Sequence, residues 1–129
     1  MAVSLQAAAG IFSSGVDGVG YSTGAGGTVT QITSKATGVT LAKACGAITL
    51  NNAALNNATA VTFIVTCTSV AVGDLVLVNH SSAGTSGAYL VSVSAIGAGS
   101  FSITVYNCSG GALGEAIVIS FAVLKAVVA

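Results

Sequence analysis

Hydrophobic and polar positions alternate with a period of two along most of the chain from about residue 38 onward. Val39 and Leu41 enclose Thr40, Ile48 and Leu50 enclose Thr49, and Val61, Phe63 and Val65 alternate with Thr62, Ile64 and Thr66. Successive side chains of an extended backbone point to opposite faces, so each run predicts a strand with one apolar face. Tyr89, Val91 and Val93 repeat the pattern against Ser92 and Ser94, as Phe101, Ile103 and Val105 do against Ser102 and Thr104. Gly97-Ala98-Gly99 between them predicts a hairpin turn. A last strand is expected from about Ala116 to Lys125, with Ile117, Ile119, Phe121 and Val123 on one face. The run Leu75-Val76-Leu77-Val78 is apolar at every position, which predicts a strand covered on both faces.

No segment carries the apolar spacing of an amphipathic helix, and Asn51 to Asn57, NNAALNN, reads as a connector. Seven or eight short strands jointed by Gly, Asn and Ser predict an all-β fold, a single jelly-roll or β-sandwich domain over residues 29–129. Residues 1–28 read differently. Gly10, Gly15, Gly18, Gly20, Gly24, Gly26 and Gly27 interrupt any regular element there, while Val3, Leu5, Ile11, Phe12, Val16, Val19 and Tyr21 recur as apolar anchors. A flexible spacer lacks such anchors. The segment is therefore expected to be an extended glycine-rich N-terminal arm that docks on a partner, with a reach of about 90 Å when fully extended.

Charge changes the picture most. Asp17, Lys35, Lys43, Asp74, Glu115 and Lys125 are the only charged side chains among 129 residues, where a typical domain of this length carries about 32. So sparse a set of charges protects a surface poorly against self-association, which predicts that neighbouring subunits or a larger particle cover much of it. The formal net charge is zero and arginine is absent, so no basic patch is available to displace counterions, and no nucleic-acid partner is expected. The longest strongly apolar segment, Ala116 to Leu124, contains Ser120 and is less than half the roughly 20 residues a spanning helix needs. Aromatic residues are too few for the girdles of a membrane barrel, so no membrane partner is expected either. The opening MAVSLQAAAGIF has no basic leading region, and no secretory leader is expected.

The inventory for chemistry is small. A hydrolase triad built on His80, the only histidine, would have to draw on Asp17, Asp74 or Glu115, and neither GxSxG nor HExxH occurs. His80 reads as a loop residue after an apolar strand, and Asp74 and Glu115, each following a glycine, read as turn residues that open the next strand. Lys35 and Lys43 read as solvated or edge-protecting charges. Gly24-Ala25-Gly26-Gly27 lacks the spacing and the preceding strand of a phosphate-binding loop. Cys45, Cys67 and Cys108 are odd in number with no CxxC pair, so small buried hydrophobes are favoured over a disulfide framework or a zinc site, with one intrachain bridge left open. No enzyme activity, catalytic residue, cofactor or metal is expected.

The stretch Gly20 to Leu41, GYSTGAGGTVTQITSKATGVTL, together with Cys45 to Asn51, CGAITLN, and the ending Ala116 to Lys125, AIVISFAVLK, resembles small virion proteins of tailed bacteriophages and prophages. The resemblance spans roughly residues 20–127 and is strongest to capsid decoration, or cement, proteins. It implies a small β-domain on the outer capsid surface, commonly a homotrimer, assembled in the host cytoplasm and partnered by the major capsid protein. The alternative it leaves is a tail or fibre component that binds a host-surface glycan or protein. Residues 1–19 lie outside the resemblance, and composition alone makes Leu5, Ile11 and Phe12, with Tyr21, the expected contact residues of the arm; Val76 and Val118, from strands divided between core and contact, complete the expected interface.

Overall fold

The computed structural model describes residues 18–128, and among them eight strands form. In chain order these are β1 (Gly26–Thr30), β2 (Val39–Thr40), β3 (Cys45–Thr49), β4 (Thr59–Thr66), β5 (Leu75–Ser82), β6 (Tyr89–Gly97), β7 (Ser100–Asn107) and β8 (Val118–Leu124). They build a β-sandwich of two four-stranded mixed sheets, ordered β1-β3-β8-β5 and β2-β4-β7-β6. Every connection except the β6–β7 hairpin crosses from one sheet to the other. One edge pair in each sheet is parallel, β1 with β3 and β2 with β4, and the remaining pairs are antiparallel.

The period-two pattern translates directly into the core. On β4, Phe63 and Val65 are buried while Ile64 faces out; on β7, Phe101, Ile103, Val105 and Asn107 are buried; on β8, Ile119, Phe121 and Val123 are buried, as is Ile117 just ahead of it. In-register pairs such as Phe63 with Ile103 and Ile48 with Ile119 place these side chains on the inner face of each sheet. The sheets meet through Phe101 and Phe121, whose ring centroids lie 5.4 Å apart at 54°. A tilted pair at this separation suits the electrostatics of two aromatic rings. The expected hairpin turn joins β6 to β7, with Gly97 still in β6, a two-residue loop of Ala98 and Gly99, and Gly99 at φ 77°, a conformation L side chains rarely adopt.

Several elements differ from the expectation. Gly26 and Gly27 do not break regular structure, because they form the start of β1, and the boundary expected at residue 28 falls inside that strand. Their lack of side chains serves close packing. Gly27 pairs in register with Gly46, and a Cβ at Gly46 would come within 2.5 Å of the Gly27 carbonyl oxygen and 2.8 Å of Leu41 Cδ2. Leu41, bonded through its amide to Thr66 of the opposite sheet's β4, packs on this pair of glycines and plugs that end of the core. The last strand runs from Val118 to Leu124 and not from Ala116 to Lys125, and just beyond it the Lys125 ammonium reaches the Ser69 carbonyl (2.7 Å) and the Asp74 carboxylate (2.6 Å). His80 lies within β5 rather than in a loop. Of the cysteines only Cys67 is buried; Cys45 is half-buried, Cys108 is exposed, and all three are free thiols.

Candidate functional site

Two features of the sandwich go beyond its core, and they lie toward opposite ends of the β5–β8 pair. The first is an apolar strip on the outer face. Alternation along β5 turns Val76 and Val78 inward against the core and Leu75 and Leu77 outward, where they are 52% and 61% exposed. The antiparallel register sets Leu75 beside Leu124 and Leu77 beside Ala122 on that same outer face. One step further along the strands the paired residues are Asn79 and Ser120, so the strip ends where the sheet turns polar. This strand is expected to be covered on both faces; among the described residues, cover lies on its inner face alone.

The segment ahead of β1 borders the strip. The Tyr21 hydroxyl donates to the Val123 carbonyl, which pins Val19 to Tyr21 beside β8 and leaves Val19 and Tyr21 largely exposed. Val19, Tyr21, Leu77, Ala122 and Leu124 line an open groove of about 340 Å³. Apolar side chains gathered on one exposed face are what an interaction surface requires, since covering them removes apolar area from water.

The interface residues expected from the sequence fall in different places. Tyr21 lies on the strip. Val76 faces the core, so on β5 the outward positions are Leu75 and Leu77. Val118 lies on the outer face of β8 at its polar end, half-buried beside Thr49 and Ser82. Leu5, Ile11 and Phe12 lie outside the described residues. Leu75, Leu77 and Leu124 were the residues that sequence reasoning passed over. The signal was present: in an all-apolar strand, one alternating half belongs to the outside.

The second feature is a polar cluster around Glu115. Its carboxylate accepts bonds from the Thr85 amide (2.9 Å), the Thr85 hydroxyl (2.6 Å) and the Tyr89 hydroxyl (2.7 Å). The Thr85 bonds, with that from Tyr89, hold the Glu115 carboxyl below the usual carboxylate range, and burial, aided by the carboxylate beside it, pushes the Tyr89 hydroxyl up. His80 meets the Tyr89 ring edge-on at 5.7 Å, and its Nε2 lies 2.6 Å from the Ala83 carbonyl. Close by, Lys35 is only 3% exposed; its ammonium donates to the Glu115 carbonyl (2.6 Å) and to the Asn51 carbonyl. Burial pulls the Lys35 ammonium below its ordinary value, with Glu115 partly opposing that shift. Lys35 is therefore not the solvated charge that its position in a polar turn predicts.

Two neutral polar residues continue this role. Gln31 is buried and donates to the Lys35 and Thr37 carbonyls while accepting from the Asn51 amide. Asn107 is buried and donates to the Leu55 and Gly111 carbonyls, at 2.7 and 2.8 Å. These side chains satisfy the backbone of the connectors at the ends of the sandwich. The Glu115 oxygens are occupied by donors and the Tyr89 proton is held against them, an arrangement that ties loops together. Among the described residues no three His, Cys, Asp or Glu side chains stand close enough to hold a metal ion.

No protein-family model, curated protein or solved structure matches the chain.

Proposed function

We propose that this chain is a structural virion protein that decorates and stabilises a tailed-phage capsid by clamping adjacent major capsid protein subunits. The observation that carries the reading is the outer apolar strip, Leu75, Leu77, Leu124 and Tyr21, on a domain with six charged side chains in its whole sequence. Such a face is costly to leave in water and has little charge around it to discourage association, so a covering partner accounts for both properties. In this reading the copies form a homotrimer through the strip, and the residues ahead of β1 supply the docking arm, whose Leu5, Ile11 and Phe12 engage the major capsid protein on the outer surface. The passage of the chain from sheet to sheet at nearly every connection supports placing the sandwich among the jelly rolls, from whose antiparallel form the parallel pairs β1–β3 and β2–β4 depart.

The test is binding to capsids assembled from the major capsid protein alone. The full chain is expected to co-sediment with them at hundreds of copies per particle, and deletion of residues 1–19 is expected to abolish co-sedimentation while leaving the strand signature in circular dichroism unchanged. A saturating copy number of a few dozen, at one vertex or on a tail, would replace the capsid reading with that of a fibre component.

A further inference from the structure

The β5–β6 connection owes its position to very few contacts. Residues 83–87 are exposed throughout, and none carries an apolar side chain larger than that of Ala83. A hollow of about 160 Å³ lies between His80 and Ser86, so packing contributes little to the order of this segment. Its backbone is also unfavourable. Ala83, Gly84 and Gly87 have φ of 61°, 72° and 78°, and for Ala83, which carries a Cβ, the left-handed region has a cost that other contacts must offset. Among the described residues, two bonds from another element hold residues 83–86, and both end on the Glu115 carboxylate. They come from the Thr85 amide (2.9 Å) and the Thr85 hydroxyl (2.6 Å). Beside them Gly84 lies against the segment that leads into β8, where a Cβ would stand 2.5 Å from Ile117 Cγ2 and 2.8 Å from Glu115 Oε2. Ile117 is fully buried, and this backbone is part of its cover.

We propose that residues 83–87 form a strap latched by the ionised Glu115 carboxylate, and that the strap lifts from Ile117 when this carboxylate takes up a proton, before the sandwich itself unfolds. Both oxygens of the latch are in use, Oε1 by the Thr85 hydroxyl and Oε2 by the Thr85 amide and the Tyr89 hydroxyl. A proton on either oxygen meets a donor already there, and only a hydroxyl can turn to accept it. Bonds to an ionised acceptor are also about twice as strong as those between neutral groups, so the amide bond weakens in either case. The surrounding groups favour the closed form while Glu115 is ionised. Tyr89 of β6 donates to the carboxylate, the Lys35 ammonium of the β1–β2 connection is bonded to the Glu115 carbonyl, and His80 of β5, when charged, also attracts the carboxylate. None of the three replaces the latch. His80 Nε2 faces the Ser82 and Ala83 carbonyls, so it carries its proton there whether or not the ring is charged and grips only the start of the strap.

The experiment is nuclear magnetic resonance on the full chain, isotope-labelled, as a function of pH. At about pH 7 the Thr85 and Ser86 amides are expected to be as rigid as those of β7, with order parameters of about 0.85. Below about pH 4 they should fall under about 0.6 while the Ile103 and Val105 amides stay rigid. Over the same range the Ile117 methyl signals should become accessible to a soluble gadolinium chelate. Glu115→Gln should leave the strap mobile at neutral pH and insensitive to acid. Tyr89→Phe removes one donor and keeps the other two, so the strap should stay latched at neutral pH and release at a higher pH than in the unaltered protein. Asp74→Asn, which removes a carboxylate bonded to Lys125 instead, should leave the release where it was. The proposal falls if Thr85 and Ser86 stay rigid until Ile103 and Val105 lose their order with them, or if Ile117 remains shielded when the strap moves. It falls equally if the strap of Glu115→Gln is rigid, or if the release follows Asp74. Should Glu115→Gln fail to fold, the titration of the unaltered chain decides alone. No capsid enters the measurement, so its outcome is independent of the capsid-binding test.

Discussion

The Tyr89 hydroxyl donates to the Glu115 carboxylate at 2.7 Å, and through this bond the first residue of β6 is tied to the segment that leads into β8. The same carboxylate holds Thr85 by two further bonds, so one acidic side chain ties the β5–β6 connection to the β7–β8 connection.

Acid sensitivity is expected from two carboxylates. Glu115 and Asp74 both titrate below their ordinary values, Glu115 through Thr85 and Tyr89, Asp74 through Lys125 and the Ala71 amide. A carboxyl whose folded value is depressed contributes stability that is complete above its unfolded value and is lost as pH falls through the folded one. The melting temperature is expected to hold near neutrality and to fall below about pH 4. Glu115→Gln should lower the melting temperature at pH 7 and make the acid limb shallower, leaving the share due to Asp74. Thermal melts followed by circular dichroism from pH 2 to 7 check this, and an acid limb of unaltered slope would remove Glu115 from the account.

Lys35 offers a test of opposite character. Its ammonium satisfies the Asn51 and Glu115 carbonyls in a site nearly closed to solvent. Lys35→Met keeps the bulk and removes the charge, yet strands two acceptors, and the cost of buried unsatisfied groups is expected to dominate at about 1–3 kcal/mol. Urea denaturation of the two proteins measures the difference. Equal midpoints would mean that water serves those carbonyls as well as the lysine does.

The glycine pair makes a quantitative contrast. A Cβ on Gly46 would meet the Gly27 carbonyl oxygen at 2.5 Å, a backbone atom of the adjacent strand, whereas one on Gly27 would meet Leu41 Cδ1 at 3.0 Å and Lys43 Cγ at 3.2 Å, both movable side-chain atoms. Gly46→Ala is therefore expected to cost about 1–3 kcal/mol, in the range of overpacked cores, and Gly27→Ala less. The order of the two urea midpoints decides the matter: Gly27→Ala falling further than Gly46→Ala would contradict the packing described for Leu41.

Much of the architecture is written in local pattern. The alternation of Val61, Phe63 and Val65, of Phe101, Ile103 and Val105, and of Ile117, Ile119, Phe121 and Val123 determined by itself that the chain makes strands and which side chains form the core, since the geometry of an extended backbone sends alternate residues to opposite faces. The inward position of Asn107 was legible too, two residues beyond Val105 in the same phase. Features set by contacts between distant segments were not legible. Lys35 sits in a polar turn and gives no sign that the carbonyls of Asn51 and Glu115, 16 and 80 residues away, will enclose it. Gly26 and Gly27 look like breakers until β3 lies alongside and Leu41 fills the space a side chain would take. The uniform apolarity of Leu75 to Val78 announces a strand but not which half is covered. The tertiary structure alone decided that, because the pairing of β5 with β8 and the packing of Val76 and Val78 on the core set the phase and left Leu75 and Leu77 outside.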